Sequence, residues 1–189
     1  MAKLFLTTRL LITTVSAVVI SFNASAGNFT KVDNSKSSIN FTSKQMGVAV
    51  DGNFKKFEAN VSLDPEKIES AKGWISIELA SINTGSKEGN DEVQGKNWFS
   101  VKSFPNARFD LKNIKSAGNG HLTITGDLTI KGKTKPITTE ATLKVNGNSA
   151  ILEGKFIFKR LDFSIGEGQW GDVDVVANDV NIHYKLLLK

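Results

Sequence analysis

His121 and His183 are the only two histidines in the 189-residue sequence, and there is no cysteine. A zinc site needs three or four ligands at compatible positions. Two histidines so far apart in the chain, with no thiolate to join them, do not supply one. The lack of cysteine also excludes a thiol nucleophile, a disulfide framework and a lipidated N-terminus, which requires cysteine at the cleavage point. Ser164 lies in Phe163-Ser164-Ile165-Gly166, which is not the Gly-x-Ser-x-Gly elbow of a serine hydrolase. Gly166-Glu167-Gly168 precedes neither a helix nor a lysine–serine pair, so it does not form a phosphate loop. Asp172, Asp174 and Asp179 could pair for acid–base work, but carboxylates at alternating strand positions usually face water. The expectation is a protein with no catalytic residues, no metal and no cofactor, and not an enzyme. A lipid-modifying enzyme using carboxylates that the sequence cannot pair is the weakest alternative.

The residues that stand out are apolar. Twelve phenylalanines accompany one tyrosine. Apolar residues recur at every second position, the period of a strand with one buried face. Phe41, Val48 and Phe54 fall on such ribbons near the start, followed by Ile75, Ile77 and Leu79, then Phe109 and Leu111. Leu122, Ile124, Leu128 and Ile130 alternate around Gly126, which would allow a bend or bulge. Phe156 and Phe158 share a face, as do Ile182 and Tyr184 in a last strand from about Asn178 to Leu188. An inner face of this kind builds either a packed core or the wall of an apolar tunnel. Packed interiors are the default, so the residues alone favour a filled core.

About eight such strands, joined by glycine- and asparagine-rich connectors read as hairpin turns (116–120, 146–149, 166–171), make an all-β, antiparallel barrel or two-sheet sandwich. One or two short helices are expected: one at Asp64-Pro65, an N-cap followed by proline, and one in the polar stretch 86–95. Lys3 and Arg9 precede the uncharged apolar run 10–22, which ends in Ala24-Ser25-Ala26. That is the form of a secretory signal cleaved after residue 26, and the run is short for a stable membrane anchor. The chain is therefore expected to comprise a cleaved signal (1–26) and one domain (27–189), periplasmic or secreted. The net charge of +5 is spread among interleaved acids, which gives no nucleic-acid surface.

Six segments in order resemble the YceI-like family of polyisoprenoid-binding, lipocalin-like proteins along nearly the whole mature chain. They are Ser37–Thr42 with Met46-Gly47-Val48, Asp64-Pro65, Ser81-Ile82-Asn83-Thr84, Trp98-Phe99 with Phe104–Phe109, Gly126–Pro136, and Arg160–Ile165 with the closing strand. The most specific is Gly126-Asp127-Leu128-Thr129-Ile130-Lys131-Gly132-Lys133-Thr134-Lys135-Pro136, close to the family's G-x-L-T-I-x-G-x-T-x-P. Three positions depart from the family: Gln45 stands where a histidine is frequent, 90–94 lacks the family's arginine and histidine, and Ser164 replaces a glycine. The resemblance implies an extended eight-stranded antiparallel lipocalin-like barrel whose cavity holds a long-chain apolar ligand, a polyisoprenoid or fatty-acyl lipid, lined by some of the sixteen alternating residues named above. The alternative is a stress-related interaction module with a filled barrel, working through loops 86–95 or 166–171. Whether two barrels pair as a homodimer is left open.

Overall fold

The computed structural model describes residues 27–189; the expected signal, 1–26, lies outside them. Its strands are β1 (Ser38–Gln45), β2 (Val48–Phe54), β3 (Phe57–Ser62), β4 (Lys72–Glu78), β5 (Ile82–Asn83), β6 (Asn106–Gly118), β7 (His121–Ile130), β8 (Lys133–Asn146), β9 (Ser149–Lys159) and β10 (Asp179–Leu188). They form one antiparallel sheet in the order β3-β4-β6-β7-β8-β9-β10-β1-β2-β5.

Ten segments amount to eight ribbons. β2 and β3 are one strand broken at Lys55-Lys56, and β4 runs into β5 through a 3-10 turn at Leu79–Ser81. These two bent ribbons pair on both sides of the kink, Phe54 opposite Ile82 and Phe57 opposite Ile77. At the kink, Ser81 takes over the hydrogen bonding. Its carbonyl accepts from Lys55 N at 3.2 Å, its Oγ accepts from Lys56 N at 3.0 Å, and its hydroxyl donates to Glu78 O at 2.6 Å. The curled sheet thus ends on its own continuation and leaves little open edge. This is the eight-stranded lipocalin-like barrel.

Alternation sets the faces. Along β7 every second residue from Leu122 to Ile130 is buried, and the strands beside it continue the pattern. In β6 the phase slips by one at Lys112, a bulge between the Leu111–Gly126 and Asn113–Thr125 pairs, so that Ile114 points inward after Phe109 and Leu111. The irregularity expected at Gly126 is therefore in the partner strand.

Both short helices are present. Asp64 caps a 3-10 segment (Pro65–Ser70), accepting from Glu66 N at 2.9 Å, and Ser86 caps α1 (Lys87–Gln94), accepting from Gly89 N at 3.0 Å. Two of the expected turns, 116–120 and 146–149, are hairpin ends. The third is a correction. Residues 166–171 belong to a long connection between β9 and β10 with two 3-10 turns, Arg160–Phe163 and Gly168–Gly171. Arg160 organises it by donating to five main-chain carbonyls: Ala177 from Nε (3.0 Å), Ile165 and Gly166 from Nη1 (2.8 and 3.0 Å), Trp170 and Val176 from Nη2 (2.7 and 2.6 Å). Ser164 ends the first turn with φ of 54°, the left-handed region that glycine enters most readily, so a non-glycine residue is strained there.

The end of the barrel opposite this connection is closed by the segment 29–33. Phe29 bonds to Leu63 in both directions, Lys31 and Lys189 exchange two bonds of 2.9 Å, and the Lys189 ammonium reaches the Asp33 carboxylate at 2.7 Å. The bond from Lys189, with a second from Ser35, lowers the Asp33 pKa from its ordinary 3.8 to about 2. A depressed folded-state pKa means the clasp contributes fully above about pH 4 and is lost as pH falls towards 2. A carboxyl-carbon NMR titration of Asp33 should give a midpoint near 2, returning towards 3.8 in Lys189→Met; equal midpoints in the two proteins would show that the ion pair does not persist.

Candidate functional site: a hollow apolar interior

Several inward-facing residues of the barrel are only half-buried: Phe41, Ile75, Ile77, Phe109, Leu111, Phe156 and Ile182. Side chains that point into a barrel yet keep accessible surface face empty space. That space comprises a larger chamber of about 550 Å³ and a smaller one of about 140 Å³. Both are walled by Ile39, Ile77, Leu128, Phe156 and Ile182, so these five residues from five strands form a waist where the two adjoin.

Three glycines help to keep it open. Gly52 lies opposite Phe41 and Gly154 opposite Tyr184, while Gly126 is diagonal to Phe109. A Cβ at any of the three would overlap that aromatic ring. Each ring therefore lies flat over its glycine, against the wall, where a longer neighbour would push it towards the axis. Gly154→Ala should cost about 1–3 kcal/mol, the usual range for inserting atoms into a packed site. Adding Tyr184→Leu should recover only the part due to the ring, because that Cβ would also lie 2.9 Å from the Glu140 carbonyl oxygen; simple additivity of the two changes in urea unfolding would remove the ring clash as a cause.

Of the sixteen residues expected on the inner face, the larger chamber takes Phe41, Phe54, Leu79, Ile130 and Phe158, the smaller takes Ile75, Phe109, Leu111, Ile124 and Tyr184, and Ile77, Leu128, Phe156 and Ile182 belong to both. Leu122 is inward-facing but 4% exposed, in the packed end beyond the smaller chamber. Val48 is outside: it has the right phase, but it pairs with Gln45 at the hairpin tip, past the end of the wall, and is 67% exposed. Val50, two residues on, lines the larger chamber in its place, as Phe54 does further along the strand. Ile39, Val93, Trp98, Trp170 and Val180 also line the larger chamber and were not singled out. Ile39 and Val180 carry the period-two signal; the two tryptophans sit in irregular segments whose position only the fold reveals.

Electrostatically the interior is quiet. In the smaller chamber the Tyr184 hydroxyl lies 3.5 Å from Thr139 Oγ1, and burial pushes its pKa up, so it stays neutral. Arg160 borders the larger chamber, but all five of its N–H groups are engaged by carbonyls. Lys72 and Arg108 border the smaller chamber, Arg108 paired with Asp110 at 2.8 Å, and at the rim of the larger one Glu88 and Glu92 of α1 meet the β9–β10 connection. There Trp170 Nε1 donates to Glu92 Oε1 at 2.8 Å and the Trp170 ring packs on Trp98 at 5.7 Å. The two loops suspected of function are thus brought together at the chamber mouth.

The residues considered for catalysis or metal binding lie elsewhere. His121 is exposed at the start of β7, and His183 is on the outer face beside Glu153, at 3.1 Å. Asp172, Asp174 and Asp179 are exposed.

Comparison with known proteins agrees with this architecture. A UPF0312 protein of Pseudomonas putida is 35% identical over 98 residues, 52% of this chain and 51% of that protein, so the chain spans about half the length of that relative. The crystal structure of Burkholderia cenocepacia BcnA superposes with a TM-score of 0.82 at 40% identity, covering 84% of this chain and all of that one. A polyisoprenoid binding domain from Saccharophagus degradans, implicated in plant cell wall breakdown, superposes at 0.68 with 16% identity, covering 86% and 99% of the two chains, and shares the fold. The YceI-like domain signature matches residues 31–188, and with the barrel and its interior in place the chain belongs to the YceI-like family.

Proposed function

We propose that this chain is an exported binding or carrier protein that holds one long apolar chain, a polyisoprenoid or fatty-acyl lipid, along the barrel interior. The observation that carries the reading is the pair of adjoining cavities on either side of the waist, walled mainly by aliphatic and aromatic side chains. Each methylene moved from water into such a space is worth about 0.8 kcal/mol, so a long chain binds tightly without a dedicated polar contact. A polyisoprenoid is the ligand for which the Saccharophagus degradans domain of the same fold is named. Export rests on the charged, apolar and small-residue pattern of 1–26. Among the described residues no helix is long and apolar enough to cross a membrane.

Native mass spectrometry of protein purified from the exporting cell, followed by organic extraction, tests the reading. A stoichiometric extra mass that extracts as a prenyl or acyl lipid is the expected result. A clean unliganded mass, unchanged after incubation with lipid extracts, would refute it.

A further inference from the structure

We propose that the β1–β2 hairpin tip, with the strand-like segment beside it, is a lip that dips into the interface of a lipid bilayer and passes the apolar chain between membrane and chamber. The inference rests on the carrier reading and adds a docking surface to it. Met46 and Val48 are 76% and 67% exposed, and Val173 is 49% exposed. All three lie at the chamber mouth. Gln45 and Val50, which flank the tip, line the larger chamber, as does Val176. Val176 bridges Gln45, Met46 N donates to Val175 O at 2.8 Å, and Ala177 N donates to Lys44 O at 2.9 Å, so the segment 173–177 runs alongside the end of β1. Lip and rim are therefore built from the same stretches of chain.

The turn chemistry points the same way. Met46 and Gly47 have φ of 49° and 80°, and Gln45 pairs with Val48, so this is a two-residue turn with both central residues left-handed. Asparagine, aspartate or glycine suits the first central position. Methionine there serves neither the turn nor the core, and its flexible, polarisable side chain suits fluid apolar surroundings. Exposed apolar residues gathered at a polar rim mark protein or membrane contacts. A bilayer fits better than a protein groove here, because a long chain needs a continuous apolar path out of its membrane and this lip leads directly into the chamber. Lys44 on one side is outweighed by Asp172 and Asp174 on the other and by Glu88 and Glu92 on the rim, so the mouth is net negative and apolar contact with a zwitterionic bilayer, not attraction to anionic headgroups, drives the docking.

The test is transfer of a pyrene-labelled fatty acid from phosphatidylcholine vesicles to the purified protein, for the natural chain, for M46N/V48T and for Val145→Asp. M46N/V48T improves the turn and retains strand propensity, so it folds at least as well. Val145 is 42% exposed at the opposite end of the barrel and serves as the control. The expected result is a transfer rate that rises with vesicle concentration, falls about tenfold or more in M46N/V48T and is unchanged in Val145→Asp, while all three bind the same fatty acid equally when it is delivered from ethanol. A rate independent of vesicle concentration or equal in M46N/V48T, or a natural-chain dimer that dissociates in M46N/V48T, would overturn the lip with the carrier reading intact. Failure of the natural chain to bind fatty acid delivered from ethanol would overturn both.

Discussion

Ile182→Trp closes the waist and shortens the longest chain the protein can hold. Ile182 is half-buried and borders both chambers, so an indole there grows into empty space and need not displace packed atoms. The fold should lose no more than about 1 kcal/mol, the low end of the cost of enlarging an inward-facing side chain, because the added atoms enter a cavity. Binding should change sharply. In the natural protein, affinity for saturated fatty acids should rise roughly fourfold per added methylene until both chambers are full. In the variant the rise should stop once the larger chamber is full. A chain that extends four methylenes past the waist forfeits about 3 kcal/mol, roughly 200-fold in affinity. Calorimetric titration with a graded series of fatty acids makes the measurement. The same plateau in both proteins would mean that the chain never crosses the waist and that the smaller chamber is only a packing defect.

The division between what the sequence disclosed and what it concealed follows from what periodicity measures. Alternation reports which face a residue occupies, and that is why Leu122 to Ile130 of β7 and Val180 to Leu188 of β10 were assigned correctly. It carries no information on depth along the barrel axis. Val48 has the phase of Val50 and Phe54, yet the strand outruns the wall and leaves it in water. Nor does alternation tell a filled interior from a hollow one. Hollowness here depends on glycine–aromatic partners in different strands, such as Gly154 with Tyr184, which become neighbours only once register is known. The 166–171 segment was misread because a glycine-rich stretch between two strands is ordinarily a tight turn. What holds it open is a side chain six residues upstream, Arg160, whose donors no local pattern assigns to carbonyls. The resemblance to a family supplied the hollow barrel before the geometry did, but neither it nor the periodicity placed Trp98 and Trp170 together at the mouth.

Arg160 is also where the largest loss of stability is expected. Its side chain is 1% exposed, and no carboxylate pairs with it; five carbonyls take its five N–H groups. Hydrogen bonds to a charged group contribute more than neutral ones, and removing the donor leaves buried acceptors without partners. Arg160→Met should therefore cost on the order of 3 kcal/mol or more, since each buried acceptor left without a donor costs about 1–3 kcal/mol and several are orphaned together. For a domain of this size that is about 10 °C or more in melting temperature. Arg160→Lys keeps the charge but offers three donors from one point in place of a planar fork, so it should recover only part of the loss. Because the carbonyls come from the connection that carries Trp170 and Val176 to the chamber mouth, proteolysis near 166–172 should accelerate in both variants ahead of global unfolding. Thermal melts paired with limited proteolysis separate the outcomes. A lysine variant as stable as the natural protein would show that charge alone, and not the fivefold geometry, anchors the mouth; a methionine variant losing less than about 1 kcal/mol would show that the connection holds without its arginine.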